Sequence, residues 1–159
     1  MVLKRECLTA GLMALLITVA TGCAGPAVHA PEREPENPEL ASQYAREGKL
    51  AFDEGRKQAA ELAWQQAVRL NPADAAVVNN LALLKKETKN FNEAVTLLET
   101  GIRHSPNVAE LHYNLAVIAE LYLLDLKKAL SHYQRYRELA EQEDKRVAGW
   151  IADLERRLD

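Results

Sequence analysis

Cys23 is one of two cysteines in the 159-residue chain, and its surroundings suit reaction of the thiol. Residues 18–25 read T-V-A-T-G-C-A-G, so small residues precede the cysteine at the end of an apolar run. A thiol in this setting can be alkylated by a diacylglyceryl group, and cleavage of the chain before Cys23 would expose an amine for a further acyl group. Two or three acyl chains hold a protein on a membrane, whereas one chain alone holds it marginally.

The residues before Cys23 form a basic start followed by a short apolar stretch. Lys4 and Arg5 precede residues 8–20, which are almost wholly apolar. A stretch of about 13 residues is too short to span a bilayer, since a helix needs roughly 20. The pattern predicts a secretory signal peptide over residues 1–22.

The end of this segment resembles the lipobox of bacterial lipoproteins, although Ala20 stands where the family most often has leucine. The resemblance implies that Cys23 becomes the acylated (palmitate-bearing) first residue of the mature chain. Because Ala24 and not aspartate follows it, the resemblance implies the outer membrane, on its periplasmic side. A plain signal peptide, or an uncleaved anchor with Cys23 incidental, remains the alternative.

Residues 23–39 form the next segment, which is rich in proline and glutamate. Such a composition cannot bury enough apolar surface to offset its ordering entropy, so we expect a disordered tether. The segment itself acting as a docking peptide is the alternative. Loss of residues 1–22 would change the formal charge from −3 to −4, which argues against a nucleic-acid partner.

An internal repeat occupies the rest of the chain. Residues 71–82 and 105–116 align without gaps, and Pro72 and Pro106 are 34 residues apart. The same interval separates Asn80 from Asn114. This period resembles the tetratricopeptide repeat, in which each unit is two antiparallel helices.

The resemblance implies an all-α, right-handed superhelical solenoid over residues 40–159. Its three helical hairpins would be residues 41–74, 75–108 and 109–143, followed by a capping helix at 144–159. The third unit has one inserted residue, which we place in the turn near Asp125, and lacks a closing proline. Lys85 is a further departure, because an aromatic residue is usual there.

Close helix crossing explains the small residues of each unit, and larger residues fill the spaces between units. The small pairs are Gly48 with Ala60, Ala82 with Ala94, and Ala116 with Ala129; the large residues are Trp64, Leu98 and Tyr133. Gly55 and Asn90 fall in the turns inside hairpins, where positive φ is expected. In the capping helix Val147, Trp150, Ile151, Leu154 and Leu158 share one face. Trp150 is expected in the core, with an exposed partner-binding role as the alternative.

No catalytic constellation occurs in the sequence. It contains no H-E-x-x-H, no glycine-rich phosphate loop and no nucleophile elbow. His104, His112 and His132 have no metal-ligand spacing, and we interpret the last two as packing or surface groups. We therefore predict no enzyme activity, no cofactor and no metal; a small cell-wall hydrolase would lack its nucleophile.

In tetratricopeptide proteins the first helix of each unit lines a concave groove, and in several peptide-binding members an asparagine before the signature leucine contacts the partner's backbone. The resemblance implies that the groove is lined by Arg46, Lys49, Asn79, Asn80, Leu83, Lys86, Tyr113, Asn114 and Val117. An amide can pair with both the N–H and the C=O of a peptide bond. The three cations favour an acidic or carboxylate-bearing segment. Alternatively, the asparagines bond only inside the solenoid or to water.

The predicted function is a membrane-anchored scaffold that binds a protein or peptide partner in this groove. Envelope assembly, pilus assembly and recruitment of cell-wall enzymes are the roles that resembling lipoproteins suggest. A self-associating structural solenoid is the alternative, because the residues around 122–124 are unusually apolar. The sequence leaves the oligomeric state open.

Overall fold

The computed structural model describes residues 36–159, so the predicted signal peptide, Cys23 and most of the predicted tether lie outside the described residues. Every regular element in residues 36–159 is helical, which confirms the all-α fold. The helices are α1 (Pro38–Asp53), α2 (Lys57–Leu70), α3 (Ala75–Glu87), α4 (Phe91–His104), α5 (Ala109–Ile118), α6 (Leu126–Leu139) and α7 (Lys145–Leu158). A π-helical turn, Ala119–Leu123, continues α5.

Side-chain caps fix where several helices begin. The Asn37 side chain accepts a hydrogen bond from the Leu40 N–H at 3.1 Å, and Pro38 occupies the first helical position. Helix α1 thus begins two residues inside the predicted tether. Asp74, Asp125 and Asp144 cap α3, α6 and α7 in the same way. These caps satisfy N–H groups that have no partner within a helix.

Consecutive helices pack as three hairpins, α1 with α2, α3 with α4, and α5 with α6, and α7 packs on α6. The six small residues predicted at the helix crossings are all buried. Trp64, Leu98 and Tyr133 are also buried, as predicted. Pro72 and Pro106 lie in the turns between hairpins.

Gly48 is required by the indole of Trp64. A Cβ at residue 48 would lie 2.5 Å from Nε1 and 2.9 Å from Cγ of that ring. The ring is held on its other sides, since its Nε1–H donates to the Ala45 carbonyl at 3.3 Å and Phe52 lies 5.5 Å away. The largest side chain at these crossings therefore faces the smallest residue.

The turns inside the hairpins correct one prediction. Gly55 has φ +75°, as expected, but in the second hairpin the residue with positive φ is Lys89 (φ 64°) and not Asn90 (φ −85°). Asn90 is instead the first residue flanking α4. The prediction was wrong because it relied on the tolerance of asparagine for positive φ. The repeat period of 34 residues instead places the equivalent of Gly55 at Lys89.

The inserted residue of the third hairpin lies in the turn just before Asp125, as predicted. It is accommodated there by the π-helical turn Ala119–Leu123. A π-helical turn holds one more residue than an α-helical turn. The Asp125 N–H closes it by donating to the Ala119 carbonyl at 2.9 Å. Ala129 consequently remains fully buried despite the longer spacing.

Lys85 is a buried cation that connects three helices. Its Nζ lies 2.5 Å from Glu93 of α4 and 2.9 Å from Glu61 of α2. Hydrogen bonds to Glu93 and then Glu61 raise the pKa of Lys85 above its usual value. A charged network thus replaces the aromatic residue expected at this position and joins the first two hairpins.

His112 and His132 form a hydrogen-bonded pair between α5 and α6. Their Nδ1 atoms are 2.9 Å apart, and His112 Nε2 lies 3.0 Å from the Pro106 carbonyl oxygen. Because a carbonyl only accepts, His112 Nε2 carries a proton and its Nδ1 accepts from His132. Burial first, and then His112 and Lys128, lower the pKa of His132 to about 4; burial also lowers the pKa of His112. The pair is structural, as the packing interpretation predicts for His112.

The capping helix packs through most of its predicted face. Val147, Ile151 and Leu154 are buried, and Trp150 lies 5.4 Å from the ring of Tyr133, as core packing predicts. Leu158 lies on the same face in the last turn of the helix and is 36% exposed.

Candidate binding groove

The first helices of successive hairpins adjoin. Helices α1 and α3 line one cavity together, and α3 and α5 line another. We call the surface formed by α1, α3 and α5 the groove, and these two hollows its N-terminal and C-terminal cavities. Short turns and regular spacing of the hairpins bring predicted site residues from distant sequence positions to this surface.

The N-terminal cavity is mainly apolar. It has a volume of about 280 Å³ and is lined by Lys49, Phe52, Asp53, Trp64, Asn80, Leu83, Leu84 and Glu87. Phe52 is 41% exposed, whereas Trp64, which also lines the cavity, is buried. An exposed aromatic ring next to a half-buried leucine offers apolar contact area to a side chain entering the cavity.

Ion pairs surround this apolar surface. Lys49 Nζ lies 2.9 and 2.8 Å from the two carboxylate oxygens of Asp53 on the next turn of α1. Glu87 pairs with Lys57. Both pairs are largely solvent-exposed, so they contribute little to stability and can exchange partners readily. A ligand group at the mouth of the cavity can therefore be either neutral or charged.

The C-terminal cavity is more polar and has a volume of about 370 Å³. It is lined by Asn79, Glu110, Tyr113, Asn114, Tyr136, Asp144 and Arg146. The rings of Tyr113 and Tyr136 are 5.2 Å apart, and Arg146 lies 3.5 Å from Asp144 at the start of α7. Aromatic faces, amides and a guanidinium together provide both stacking and hydrogen-bonding groups.

The three asparagines of the groove are not equivalent. The Asn114 amide donates to Asn79 Oδ1 at 2.7 Å, so these two side chains bond to each other between α3 and α5. This is the internal bonding that the sequence left as an alternative. Asn80 makes no hydrogen bond to any residue from 36 to 159 through its side chain and lines the N-terminal cavity. Its donors and acceptor are available to a ligand.

The remaining predicted residues fall into two sets. Arg46 and Lys49 line a shallow hollow on α1 beside the N-terminal cavity, and Arg46 forms no ion pair with a described residue. Lys86 and Val117 line neither cavity, and Val117 packs against the core. The structure therefore brings seven of the nine predicted residues to the cavities or the adjoining hollow.

Several lining residues were not predicted. Phe52 and Glu87 follow Lys49 and Leu83 at the i+3 and i+4 positions, so helical spacing alone would have indicated them. Tyr136 of α6 and Arg146 of α7 come from elements not assigned to the groove. Only the packing of the last two helices brings them beside Tyr113.

The described residues contain no cluster of three or more metal-ligating side chains. Likewise, none of helices α1 to α7 combines the length and the apolar character needed to cross a bilayer. The residues that line the two cavities offer apolar contact, amide hydrogen bonding and charge.

Comparison with known proteins identifies the architecture. No family model matches the sequence. The chain is 27% identical over 99 residues to tetratricopeptide repeat protein 33 of Xenopus laevis, a match that covers 62% of this chain. It spans only 38% of the length of that relative.

Solved structures resemble the chain over most of its length. The first tetratricopeptide domain of Spaghetti (RPAP3) bound to an HSP90 peptide superposes with a TM-score of 0.67 at 16% identity, covering 77% of this chain and 96% of that one. The Yersinia enterocolitica type III secretion chaperone SycD, in complex with a peptide of the translocator YopD, gives 0.66 at 14% identity, with 77% and 98% covered. The Arabidopsis OM64 domain gives 0.63 at 18%, with 75% and 97% covered. The described residues therefore have the tetratricopeptide repeat fold.

Proposed function

We propose that this chain is a binding scaffold that holds an extended peptide segment of another protein in its groove. The observation that carries the proposal is the N-terminal cavity, where an exposed ring, a leucine and the unbonded amide of Asn80 adjoin. The amide can bond to the backbone of an extended segment while the apolar surface takes one of its side chains.

Similar structures support this use of the surface. Two of the structures that resemble the chain hold peptides, one from HSP90 and one from the translocator YopD. Most of the residues that line the cavities here come from the first helices of the hairpins. We infer that the partner of this chain is likewise a peptide segment of a protein.

The unpaired guanidinium of Arg46 favours an acidic group on the partner beside the N-terminal cavity. Arg46 has no ion-pair partner in the described residues, and the Lys49–Asp53 pair is exposed enough to exchange. A segment that places a large apolar side chain in the N-terminal cavity and a carboxylate near Arg46 would satisfy both features. Such a segment need not have a fixed sequence between these two points.

We further propose that the chain is a lipoprotein of the bacterial outer membrane, acylated at Cys23 and facing the periplasm. The signal-like segment, the small residues before the cysteine and the proline-rich tether support this proposal. A tether of about 14 residues reaches at most roughly 46 Å, so the groove would operate close to the bilayer. Assembly of the envelope or of pili, or recruitment of cell-wall enzymes, would place a partner at that distance.

The groove is tested by photocrosslinking in cells. The full chain carries benzoylphenylalanine at residue 83 in the groove, or at residue 62, where Leu62 is 64% exposed on α2. We expect a discrete protein adduct from residue 83 and none from residue 62. Asn80→Ala should weaken that adduct while leaving the thermal unfolding midpoint nearly unchanged, because the Asn80 side chain bonds to no described residue.

Equal adducts from both positions, or none from residue 83, would refute the groove as the binding surface. If Asn80→Ala unfolds the protein, the amide is structural. The anchor is tested separately by radiolabelled palmitate, which the wild-type chain should incorporate and Cys23→Ser should not. Unchanged labelling of Cys23→Ser would exclude acylation at this cysteine and leave the groove proposal intact.

A further inference from the structure

The C-terminal cavity lies directly beside the N-terminal cavity but has a different chemistry. Asn79 and Asn80 are consecutive residues of α3, and each lines one of the two cavities. One extended segment lying across α3 can therefore reach both. What the C-terminal cavity would accept from such a segment depends on the charged and aromatic side chains that line it.

The charged side chains that line the C-terminal cavity are two carboxylates and one guanidinium, a net charge of −1. The guanidinium of Arg146 lies 3.5 Å from Asp144. Asp144 also accepts hydrogen bonds from the N–H groups of Arg146 at 2.9 Å and Val147 at 3.4 Å, so its carboxylate is committed to the start of α7. Glu110 is exposed and pairs with no cation among residues 36–159. Its position in the first turn of α5 favours the ionised carboxylate.

The other charged residues near these elements add no net charge. Arg137 and Lys145 are exposed, as are Glu141 and Glu143, and none of the four lines the cavity. Two positive and two negative groups cancel, which leaves Glu110 as the uncompensated charge. An anionic ligand group would be repelled by this carboxylate, and an apolar one would bury it without a partner. The cavity therefore favours a cation.

Aromatic rings and an amide supply the remaining contacts. The rings of Tyr113 and Tyr136 are 5.2 Å apart, and Trp150 lies 6.4 Å from Tyr113. All three are half-buried, so they are held by packing and still present part of their surface. A cation is attracted to the face of an aromatic ring. The bond from Asn114 to Asn79 uses the donor of Asn114 and leaves its Oδ1 as an acceptor.

We propose that the C-terminal cavity is a specificity subsite for an arginine side chain of the partner segment. The guanidinium would stack on a tyrosine ring and donate hydrogen bonds to Glu110 and to Asn114 Oδ1. Arginine suits these groups better than lysine does, because its planar guanidinium both stacks and offers several donors in fixed directions. Since Arg46 lies at the other end of the groove, the segment would carry an acidic and a basic group on opposite sides of its apolar side chain. This inference rests on the proposed function, which supplies the segment.

The test begins with a random peptide library selected on the immobilised full chain in detergent micelles. We expect the enriched peptides to carry an arginine at a fixed spacing from a large apolar residue. Binding of one such peptide is then measured by fluorescence polarisation, with its arginine or with citrulline, which has the same shape without the charge. On the wild-type chain citrulline should weaken binding at least about tenfold.

The matching changes in the protein assign that effect to the cavity. On Glu110→Gln the arginine peptide should bind about tenfold more weakly, and its replacement by the citrulline peptide should change binding by less than about twofold. Glu47→Gln is the matched control, because Glu47 is an exposed carboxylate beside a hollow between α1 and α2, and it should bind as the wild type does. Tyr136→Leu should reduce the preference for arginine over lysine, and it supplies the same comparison if Glu110→Gln does not fold.

Enriched peptides that lack arginine, but lose binding to Asn80→Ala, would overturn the arginine subsite and leave the peptide groove intact. An equal effect of citrulline on the wild-type chain and on Glu110→Gln would also overturn it, because the arginine would then bind elsewhere. Failure of the library to yield any enriched peptide would overturn the proposed function together with this inference.

Discussion

Replacement of Gly48 by alanine tests whether the indole of Trp64 determines the packing of the first hairpin. In an open helix this substitution stabilises by about 1 kcal/mol, because alanine has the higher helix propensity. Here the new Cβ would lie 2.5 Å from Nε1 of a ring that is only 3% exposed. The ring has little room to move, since Phe52 lies 5.5 Å from it and its N–H is bonded to Ala45.

The expected net effect is destabilising. Overpacking of a well-filled core costs about 1–3 kcal/mol, and a rigid ring at this separation favours the upper end. After subtraction of the propensity gain, Gly48→Ala should lower the free energy of unfolding by about 2 kcal/mol. For a domain of this size that corresponds to a fall in Tm of roughly 8 °C.

The assay is urea and thermal unfolding of a double-mutant cycle. The second hairpin combines Ala82 with Leu98, so Trp64→Leu should restore room for alanine at residue 48. We expect a favourable coupling of about 2 kcal/mol between the two substitutions. Gly149→Ala is the matched control, because a Cβ there meets nothing within 4 Å. It should stabilise α7 by up to about 1 kcal/mol.

Two results would refute this reasoning. If Gly48→Ala is as stabilising as Gly149→Ala, the indole moves aside freely and the glycine is not required. If Trp64→Leu lowers the free energy of unfolding equally with glycine and with alanine at residue 48, the side chains at residues 48 and 64 are not in steric conflict.

Two further predictions concern the buried polar groups. Lys85→Ala should lower the free energy of unfolding in urea by about 3 kcal/mol, because it removes the cation between Glu61 and Glu93. A decrease no larger than that caused by replacing an exposed lysine with alanine would show that the network is not stabilising. Unfolding stability should also fall by about 2 kcal/mol between pH 7 and pH 5, because the unfolded chain protonates its histidines near pH 6.5 whereas the pKa of His132 is about 4 in the fold. His132→Phe should flatten this dependence, and an unchanged slope in that variant would assign it to groups other than the His112–His132 pair.

The repeat period made the architecture predictable. Proline at a fixed interval and small residues at fixed offsets defined three hairpins, because each unit must bury the same surfaces against its neighbours. Gly48, Ala60 and Trp64 occupy the predicted crossing. The cap was predictable from the helical spacing of Val147, Ile151 and Leu154, which are buried.

The failures lie where contacts between units decide the outcome. Nothing in the sequence indicated that Lys85 would find two carboxylates on other helices, because Glu61 and Glu93 are typical exposed residues by composition. The bond between Asn79 and Asn114 depends on the separation of α3 and α5, and it uses one donor and one acceptor of these amides inside the solenoid. Asn80, which the resemblance assigned to the groove, lines the N-terminal cavity.

The π-helical turn at residues 119–123 leaves Ala116 and Ala129 buried on either side of it. A change in chain length at the end of a hairpin is therefore confined to that end, and the stacking of neighbouring units is not disturbed. The ends of hairpins can in this way acquire residues that are selected for purposes unrelated to folding. The packed interior of a repeat protein tolerates few substitutions, so one hairpin can diverge from the others mainly at its ends.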